Sequence, residues 1–225
     1  MSSESRREQL LAMLEDIAEA LGDDLHEVVF VGGIAASFHV ASVRMTEDVD
    51  CMVDMTMPAY YRFGERLRSK GFSEEPQGNV ICRWRLQRAS GVITLDVVPT
   101  QGNVLGFSTR WYQEAFASSE TVTLPSGRVA RLITPLHLVA TKIEAFKDRG
   151  EKDFLASHDL EDMVAVLAAW PDVRDRIARG QEPVCVAIRG ELVAMREELA
   201  ESLLGHLATE DESVVEQLTA WLLAL

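Results

Sequence analysis

The spacing of hydrophobic and polar positions divides this chain into two regions of different character. Up to residue 133, short β-branched runs alternate with stretches of helical periodicity and with glycine-containing turns. The pattern there predicts strands within 27–33, 48–54 and 79–99, a hairpin over 121–133, and helices over 5–21, 34–42 and 58–70. From Thr134 onward the apolar positions recur at helical spacing, which predicts helices that start at Pro135 and that span 152–169, 185–205 and 211–225.

These elements predict an α/β (α+β) protein in which helices flank a mixed sheet and an all-helical C-terminal region follows. The change of pattern predicts two domains, a mixed domain over 1–133 and a helical domain over 134–225. A chain of 225 residues is long enough to bury a substantial core, and its sequence contains no internal repeat.

The composition excludes several classes of protein. Hydrophobic residues make up 47% and charged residues 26% of the chain, which is typical of a globular protein. Apolar runs stay below the roughly 18 residues that would span a bilayer, and the first residues lack the apolar core of a secretory signal. Cys51, Cys82 and Cys185 show no CxxC spacing, which disfavours a disulfide framework and a structural zinc site. We therefore expect a cytoplasmic protein with no membrane partner.

The charge distribution leaves a nucleic-acid partner open. The net charge is −14, but the excess of acid lies in residues 1–27 and 197–225, and the part between them is close to neutral. Residues 62–88 contain seven basic and three acidic residues. Strand alternation would place Arg83 and Arg85 on one face. These residues predict either a surface that binds RNA phosphates or a solvated basic face.

Carboxylates at strand spacing are the main candidates for chemistry. Asp48 and Asp50 are predicted to point to the same face of one strand, where two ionised groups repel each other unless a cation lies between them or the strand is an exposed edge. Oxygen ligands at this spacing favour Mg²⁺ or Mn²⁺. Asp96 stands in an otherwise apolar predicted strand, where burial is costly unless the carboxylate is paired or metal-bound. If the two strands are neighbours, the three acids converge as in two-metal phosphoryl or nucleotidyl transfer.

A glycine pair precedes these acids. Gly32 and Gly33 lie at a predicted strand-to-helix turn, where the backbone can approach a phosphate closely and the helix N-terminus favours an anion. Taken alone, such a pair predicts little more than a turn. Its position ahead of Arg44, Thr46 and the Asp-x-Asp tripeptide makes the pattern much more specific.

This order of residues resembles the nucleotidyltransferase superfamily, whose motif is a strand, a glycine pair, a short helix, two acids around one apolar residue, and a third acid on a later strand. The segment Arg44-Met45-Thr46-Glu47-Asp48-Val49-Asp50 is most similar to the AbiEii-type branch, which includes bacterial toxin–antitoxin and phage abortive-infection enzymes. The resemblance implies a nucleotidyltransferase-like mixed sheet, with catalytic and metal-binding roles for Asp48, Asp50 and Asp96. The nucleotide contacts that it implies in this region are Gly32, Gly33, Arg44 and Thr46.

The resemblance extends into the predicted helical region, to about residue 167. The branch commonly has a lysine, an arginine, a K/R-D pair and a D-L-x-D motif, which correspond here to Lys142, Arg149, Lys152-Asp153 and Asp159-Leu160-Glu161-Asp162. It implies that Lys142 contacts the triphosphate and that Asp159 or Asp162 belongs to the nucleotide site. The residues themselves place Lys142 in the apolar arc of its predicted helix, where the alternative role is an internal ion pair with an acid such as Asp159.

Motif and resemblance together predict a metal-dependent enzyme that transfers NMP from an NTP to an acceptor hydroxyl, with Mg²⁺ or Mn²⁺ as cofactor. The resemblance implies RNA as the acceptor, for instance the 3′ end of tRNA, in a toxin-like role with a cognate antitoxin as partner. The first alternative is an antibiotic nucleotidyltransferase that modifies a small cationic molecule such as an aminoglycoside. The second is a catalytically inactive, nucleotide-binding regulator.

Overall fold

The computed structural model describes residues 3–40, 44–74, 82–105, 109–148, 153–207 and 212–225. The chain divides into two compact units, one of Met1–Phe38 with Val43–Thr134 and one of His39–Ser42 with Pro135–Leu225. The assignment of functional domains to 1–133 and 134–225 remains a proposal.

The first unit contains the predicted alternation of strands and helices. Its elements are α1 (Ser3–Leu21), a 3₁₀ helix (Gly22–Glu27), β1 (Val28–Val31), α2 (Gly32–His39), β2 (Asp48–Val53), α3 (Met57–Ser69), β3 (Phe72–Glu74), β4 (Arg83–Arg88), β5 (Gly91–Pro99), α4 (Gly102–Leu105), α5 (Tyr112–Ala117), β6 (Glu120–Thr123) and β7 (Val129–Leu132). Helix α1 buries Leu10, Leu14, Ile17 and Leu21 on one side, as its amphipathic spacing predicts.

Among the described residues, seven strands form one mixed sheet in the order β3-β4-β5-β2-β1-β7-β6. Strand β1 lies between an antiparallel neighbour, β2, and a parallel neighbour, β7. Strands β2 and β5 run parallel, and β4 joins β5 as an antiparallel hairpin partner. All four residues of β1 are buried, and the strand is paired on both sides, with β2 and with β7.

The register of the sheet places charged residues in one row. Asp50 of β2 lies opposite Asp96 of β5, and Asp96 in turn lies opposite Arg83 of β4. On β4 the side chains alternate, so that Trp84 is buried while Arg85 is exposed. The row therefore presents its charges to one face of the sheet and buries apolar residues on the other.

The second unit is helical, as the sequence predicts. Its helices are α6 (Pro135–Asp148), α7 (His158–Ala169), α8 (Pro171–Arg179), α9 (Pro183–Ala194), α10 (Arg196–His206) and α11 (Glu212–Leu223). Helix α6 is buried over the whole of Pro135–Ile143 and packs on α7 and α9. A helix buried on all sides is the centre of its unit rather than a surface layer. Across the described parts of the chain, none of the helices is long and apolar enough to cross a membrane.

The two predicted helices over 152–169 and 185–205 differ most from the structure, and the ends of the others differ by up to three residues. Helix α7 begins at His158 because the Asp153 carboxylate accepts the amides of Leu155 and Ala156, and the Ser157 hydroxyl then caps the helix. The predicted helix over 185–205 is interrupted at Met195 (φ −117°, ψ 12°). The interruption allows α9 to pack on α6 and α8 while α10 packs on α7 and α11. Helix α8 and strand β3 were not predicted from the pattern.

Candidate functional site

Three carboxylates meet on one face of the mixed sheet. Asp50 and Asp96 are direct neighbours on the parallel strands β2 and β5, and Asp48 precedes Asp50 by two residues on the same face. Each of the three offers an oxygen that lies within 4.8 Å of the oxygens offered by the other two. Asp96 is buried, and Asp48 and Asp50 are half-buried. The predicted convergence of these acids is confirmed, because β2 and β5 are neighbours.

An arginine compensates part of this negative charge. Arg83 donates from Nε to Asp96 Oδ1 at 2.8 Å and from Nη2 to Asp96 Oδ2 at 2.7 Å, which is a two-pronged ion pair. Its Nη2 also donates to Asp48 Oδ2 at 3.2 Å. Arg83 and Arg85 share a strand face, as predicted, and Arg83 is ion-paired rather than fully solvated. The Arg83 guanidinium is directed to the acids because β4 pairs it with Asp96. Contact of either arginine with RNA phosphates stays a prediction.

Thr46, two residues before Asp48, fixes the orientation of the Asp48 carboxylate. Thr46 is buried, and its hydroxyl lies 3.0 Å from Asp48 Oδ1 and 3.2 Å from the Asp48 carbonyl oxygen. Thr46 therefore supports one carboxylate oxygen while Arg83 binds the other. Arg44 donates to the Met45 carbonyl oxygen at 3.1 Å. Nucleotide contacts by Thr46 and Arg44 stay predictions.

Close contacts in the structure explain why glycine occupies positions 32 and 33. Gly32, the first residue of α2, has a positive φ of 63°. A Cβ placed there would lie 2.1 Å from Asp50 Oδ2. A Cβ on Gly33 would lie 3.2 Å from both Arg44 Nη2 and Thr46 Cβ. The glycines thus allow the Asp50 carboxylate and the segment before β2 to approach the turn closely. That they also cradle phosphates stays a prediction.

Two buried thiols, Cys51 on β2 and Cys82 just before β4, lie near the acids without belonging to the ligand set. Burial, and then the negative charge of Asp50, raise the pKa of the Cys51 thiol well above its usual value. Burial, and then the charge of Asp96, raise the pKa of Cys82 to about 11. Both groups are therefore neutral thiols at physiological pH, and Cys51 alternates with Asp50 onto the opposite face. The donors in the acidic cluster are carboxylate oxygens, and the three cysteines of the chain are free.

The second unit contains a buried charged cluster of its own. Lys142 Nζ lies 3.1 Å from Asp159 Oδ1 and 2.6 Å from Asp162 Oδ2, and all three side chains are less than a tenth exposed. The internal ion pair, which the sequence left as an alternative for Lys142, is therefore present and involves both acids. Contact with a triphosphate stays a prediction for these residues. Arg149 and Lys152, which the resemblance also includes, lie outside the described residues.

Comparisons with known proteins support the fold and go no further. Neither the models of protein families nor the curated proteins give a match to this chain. Among solved structures, the protein JHP933 from Helicobacter pylori is similar over 99% of this chain and 93% of its own, with 13% identity and a TM-score of 0.50. A proposed nucleotidyltransferase from H. pylori is similar over 100% of this chain and 95% of its own, with 13% identity and a TM-score of 0.51.

The predicted fold class is confirmed by this likeness and by the topology. The chain has a nucleotidyltransferase-like α/β fold, with a mixed sheet flanked by helices and an all-helical C-terminal region. At 13% identity the likeness shows the fold alone.

The contact between Gly32 and Asp50 can be tested by adding one methyl group. Gly32→Ala should destabilise the protein because the new Cβ would collide with the Asp50 carboxylate at a left-handed backbone position. Gly71→Ala is the matched control, since Gly71 has a φ of 92° and open space around it. In urea unfolding, we expect Gly32→Ala to lower the free energy of unfolding by about 1–3 kcal/mol more than the control does. Equal losses would show that Gly32 serves only the backbone conformation.

Proposed function

We propose that the protein is a metal-dependent nucleotidyltransferase. In the reaction, an acceptor hydroxyl loses its proton and attacks the α-phosphate of an NTP, forming a phosphodiester. The bond between the α-phosphorus and the α,β-bridging oxygen breaks, and pyrophosphate leaves with that oxygen. The observation that carries the proposal is the convergence of Asp48, Asp50 and Asp96 on one face of a nucleotidyltransferase-like sheet. Folding alone gives no benefit from three carboxylates so close together, because like charges repel.

The donor set fits a hard divalent cation. Carboxylate oxygens are the ligands that Mg²⁺ and Mn²⁺ prefer, and ligands on opposite sides of Mg²⁺ lie about 4.2 Å apart at the usual bond length of about 2.1 Å. The oxygens of Asp48, Asp50 and Asp96, all within 4.8 Å of one another, come close to this requirement. A bound ion would neutralise charge on the triphosphate and make the acceptor hydroxyl easier to deprotonate.

The residues of the chain take distinct parts in this proposal. Asp48 and Asp50 hold the metal, with Asp48 oriented by Thr46. Asp96 completes the metal site and helps to draw the proton from the acceptor hydroxyl, since it lies opposite Asp50 in the sheet. Gly32 and Gly33 admit the phosphates at the start of α2, where the helix N-terminus favours negative charge.

RNA is the acceptor that we propose, within an AbiEii-like, toxin-type role and with a cognate antitoxin as partner. The motif around Arg44 and Asp48 supports the subfamily, and the exposed position of Arg85 on β4 supports phosphate contact at the surface. The second candidate is an antibiotic nucleotidyltransferase, which the net charge of −14 favours because an acidic surface attracts a small cationic acceptor.

The metal site predicts a stability response. Mn²⁺ should raise the melting temperature of the wild-type protein, by about 5–10 °C at a hundred times Kd, because the ion binds the folded state. Asp50→Asn should lose most of this response. Glu47→Gln is the matched control, since it removes the same charge from an exposed side chain three residues away. A response that Asp50→Asn retains in full would contradict the proposed metal site.

The reaction itself can be followed with labelled nucleotides. Each α-³²P-labelled NTP is incubated with Mg²⁺ and protein, with total tRNA in one arm and an aminoglycoside panel in the other. We expect label in tRNA, and a kcat reduced about 10²-fold or more in Asp96→Asn because proton transfer belongs to the transition state. Label on the aminoglycosides would support the second candidate. Nucleotide binding without transfer to either acceptor would support an inactive regulator instead.

The buried cluster around Lys142 allows its two roles to be separated. Lys142→Met should destabilise the protein by about 3–5 kcal/mol, because Asp159 and Asp162 would lose their buried cation. A triple variant that also carries Asp159→Asn and Asp162→Asn removes the uncompensated charges and should recover part of this loss. If Lys142 also binds triphosphate, both variants should bind NTP about tenfold or more weakly per folded molecule. Normal NTP affinity would restrict Lys142 to the ion pair.

A further inference from the structure

Arg83 binds oxygens of Asp96 and Asp48, two of the three acids that would hold a metal ion. Its guanidinium bonds both oxygens of Asp96, at 2.8 and 2.7 Å, and one oxygen of Asp48, at 3.2 Å. The planar fork of arginine matches a carboxylate better than any other cationic side chain does. In this structure, therefore, the acidic cluster already contains a cation supplied by the chain itself.

A guanidinium and a divalent ion at the same oxygens oppose each other. Both are positive, and at a site that is only partly open to water their repulsion is weakly screened. The Arg83 side chain is 28% exposed, so it has an open side toward solvent and room to change its partner. A bound NTP brings several negative charges to such a site, and arginine binds phosphate oxygens with the same two-pronged geometry.

We propose that Arg83 is an exchangeable counter-ion that makes metal binding depend on nucleotide. Without nucleotide, Arg83 neutralises Asp96 and Asp48 and weakens the binding of free Mg²⁺ or Mn²⁺. With nucleotide, the guanidinium moves from the carboxylates to the phosphates, and the oxygens that it releases bind the metal. The site then prefers the metal–nucleotide complex to the free ion. This inference rests on the proposed function and names a positioning residue for it.

The neighbouring Arg85 provides a matched control for this idea. It lies two residues further along β4 on the same face, and it is exposed. Arg85→Gln therefore removes the same formal charge from the same strand without removing the contacts to Asp96 and Asp48. Any effect of general electrostatics on metal affinity should appear in both variants, whereas release of the carboxylates should appear only in Arg83→Gln.

The experiment measures Mn²⁺ binding from the EPR signal of the free ion, with and without a non-hydrolysable α,β-methylene ATP. Without nucleotide, Arg83→Gln should bind Mn²⁺ at least about tenfold more tightly than the wild-type protein, and Arg85→Gln should differ from it less than about twofold. The nucleotide should then increase Mn²⁺ affinity strongly in the wild-type protein and much less in Arg83→Gln. Arg83→Lys keeps the charge but not the planar fork, and its Mn²⁺ affinity should lie between those of the wild-type protein and Arg83→Gln.

Thermal unfolding gives an independent readout. In EDTA, Arg83→Gln should melt below the wild-type protein because Asp96 and Asp48 lose the cation that binds them, and saturating Mn²⁺ should close this gap. Unchanged or weaker Mn²⁺ affinity in both Arg83 variants, beside normal wild-type binding, would overturn the counter-ion role and leave the metal site intact. An absence of Mn²⁺ binding in every variant and in the wild-type protein would overturn the metal site and this inference together.

Discussion

Electrostatic repulsion among three carboxylates is the constraint on which the structure of the first unit depends. Asp48, Asp50 and Asp96 lie on adjacent parallel strands, with ligand oxygens within 4.8 Å of one another. Such a cluster persists only when each charge is oriented and compensated. Arg83 compensates two of the acids from the neighbouring strand, and Gly32 leaves the space into which the third carboxylate fits. The elements around the cluster are thus arranged to hold charge rather than to avoid it.

In the second unit, a buried lysine rather than an arginine compensates neighbouring carboxylates. Lys142 lies on the most buried helix of that unit and contacts Asp159 and Asp162, so one positive charge compensates two negative ones. Burying such a group costs desolvation free energy that its internal contacts only partly offset. Most residues of α6 are apolar and buried, and packing alone would favour a hydrophobic side chain at this position. A charged triad there is consistent with a role beyond stability, which the affinity of Lys142 variants for nucleotide decides.

Much of the fold and part of the site could be predicted because they follow local patterns. Strand alternation places Asp48 and Asp50 on one face, and the isolated acid in an apolar strand singles out Asp96. The ion pair of Arg83 depends on strand register, which alternation alone does not give. The two-residue turn at Ala89-Ser90 pairs Arg88 with Gly91, and counting back along the hairpin would have placed Arg83 opposite Asp96. The helix is interrupted at Met195 because α9 and α10 pack on different helices. The periodicity of apolar residues does not predict such an interruption.

We propose that the acidic cluster binds a divalent ion in exchange for a guanidinium. This exchange can be tested in crystals grown with Mn²⁺ and a non-hydrolysable NTP, with diffraction measured at the manganese absorption edge. We expect an anomalous peak bonded to oxygens of Asp48, Asp50 and Asp96, with the Arg83 side chain moved from Asp96 to the phosphates. A peak away from these three carboxylates, or an Arg83 that keeps both bonds to Asp96 beside the bound nucleotide, would contradict it.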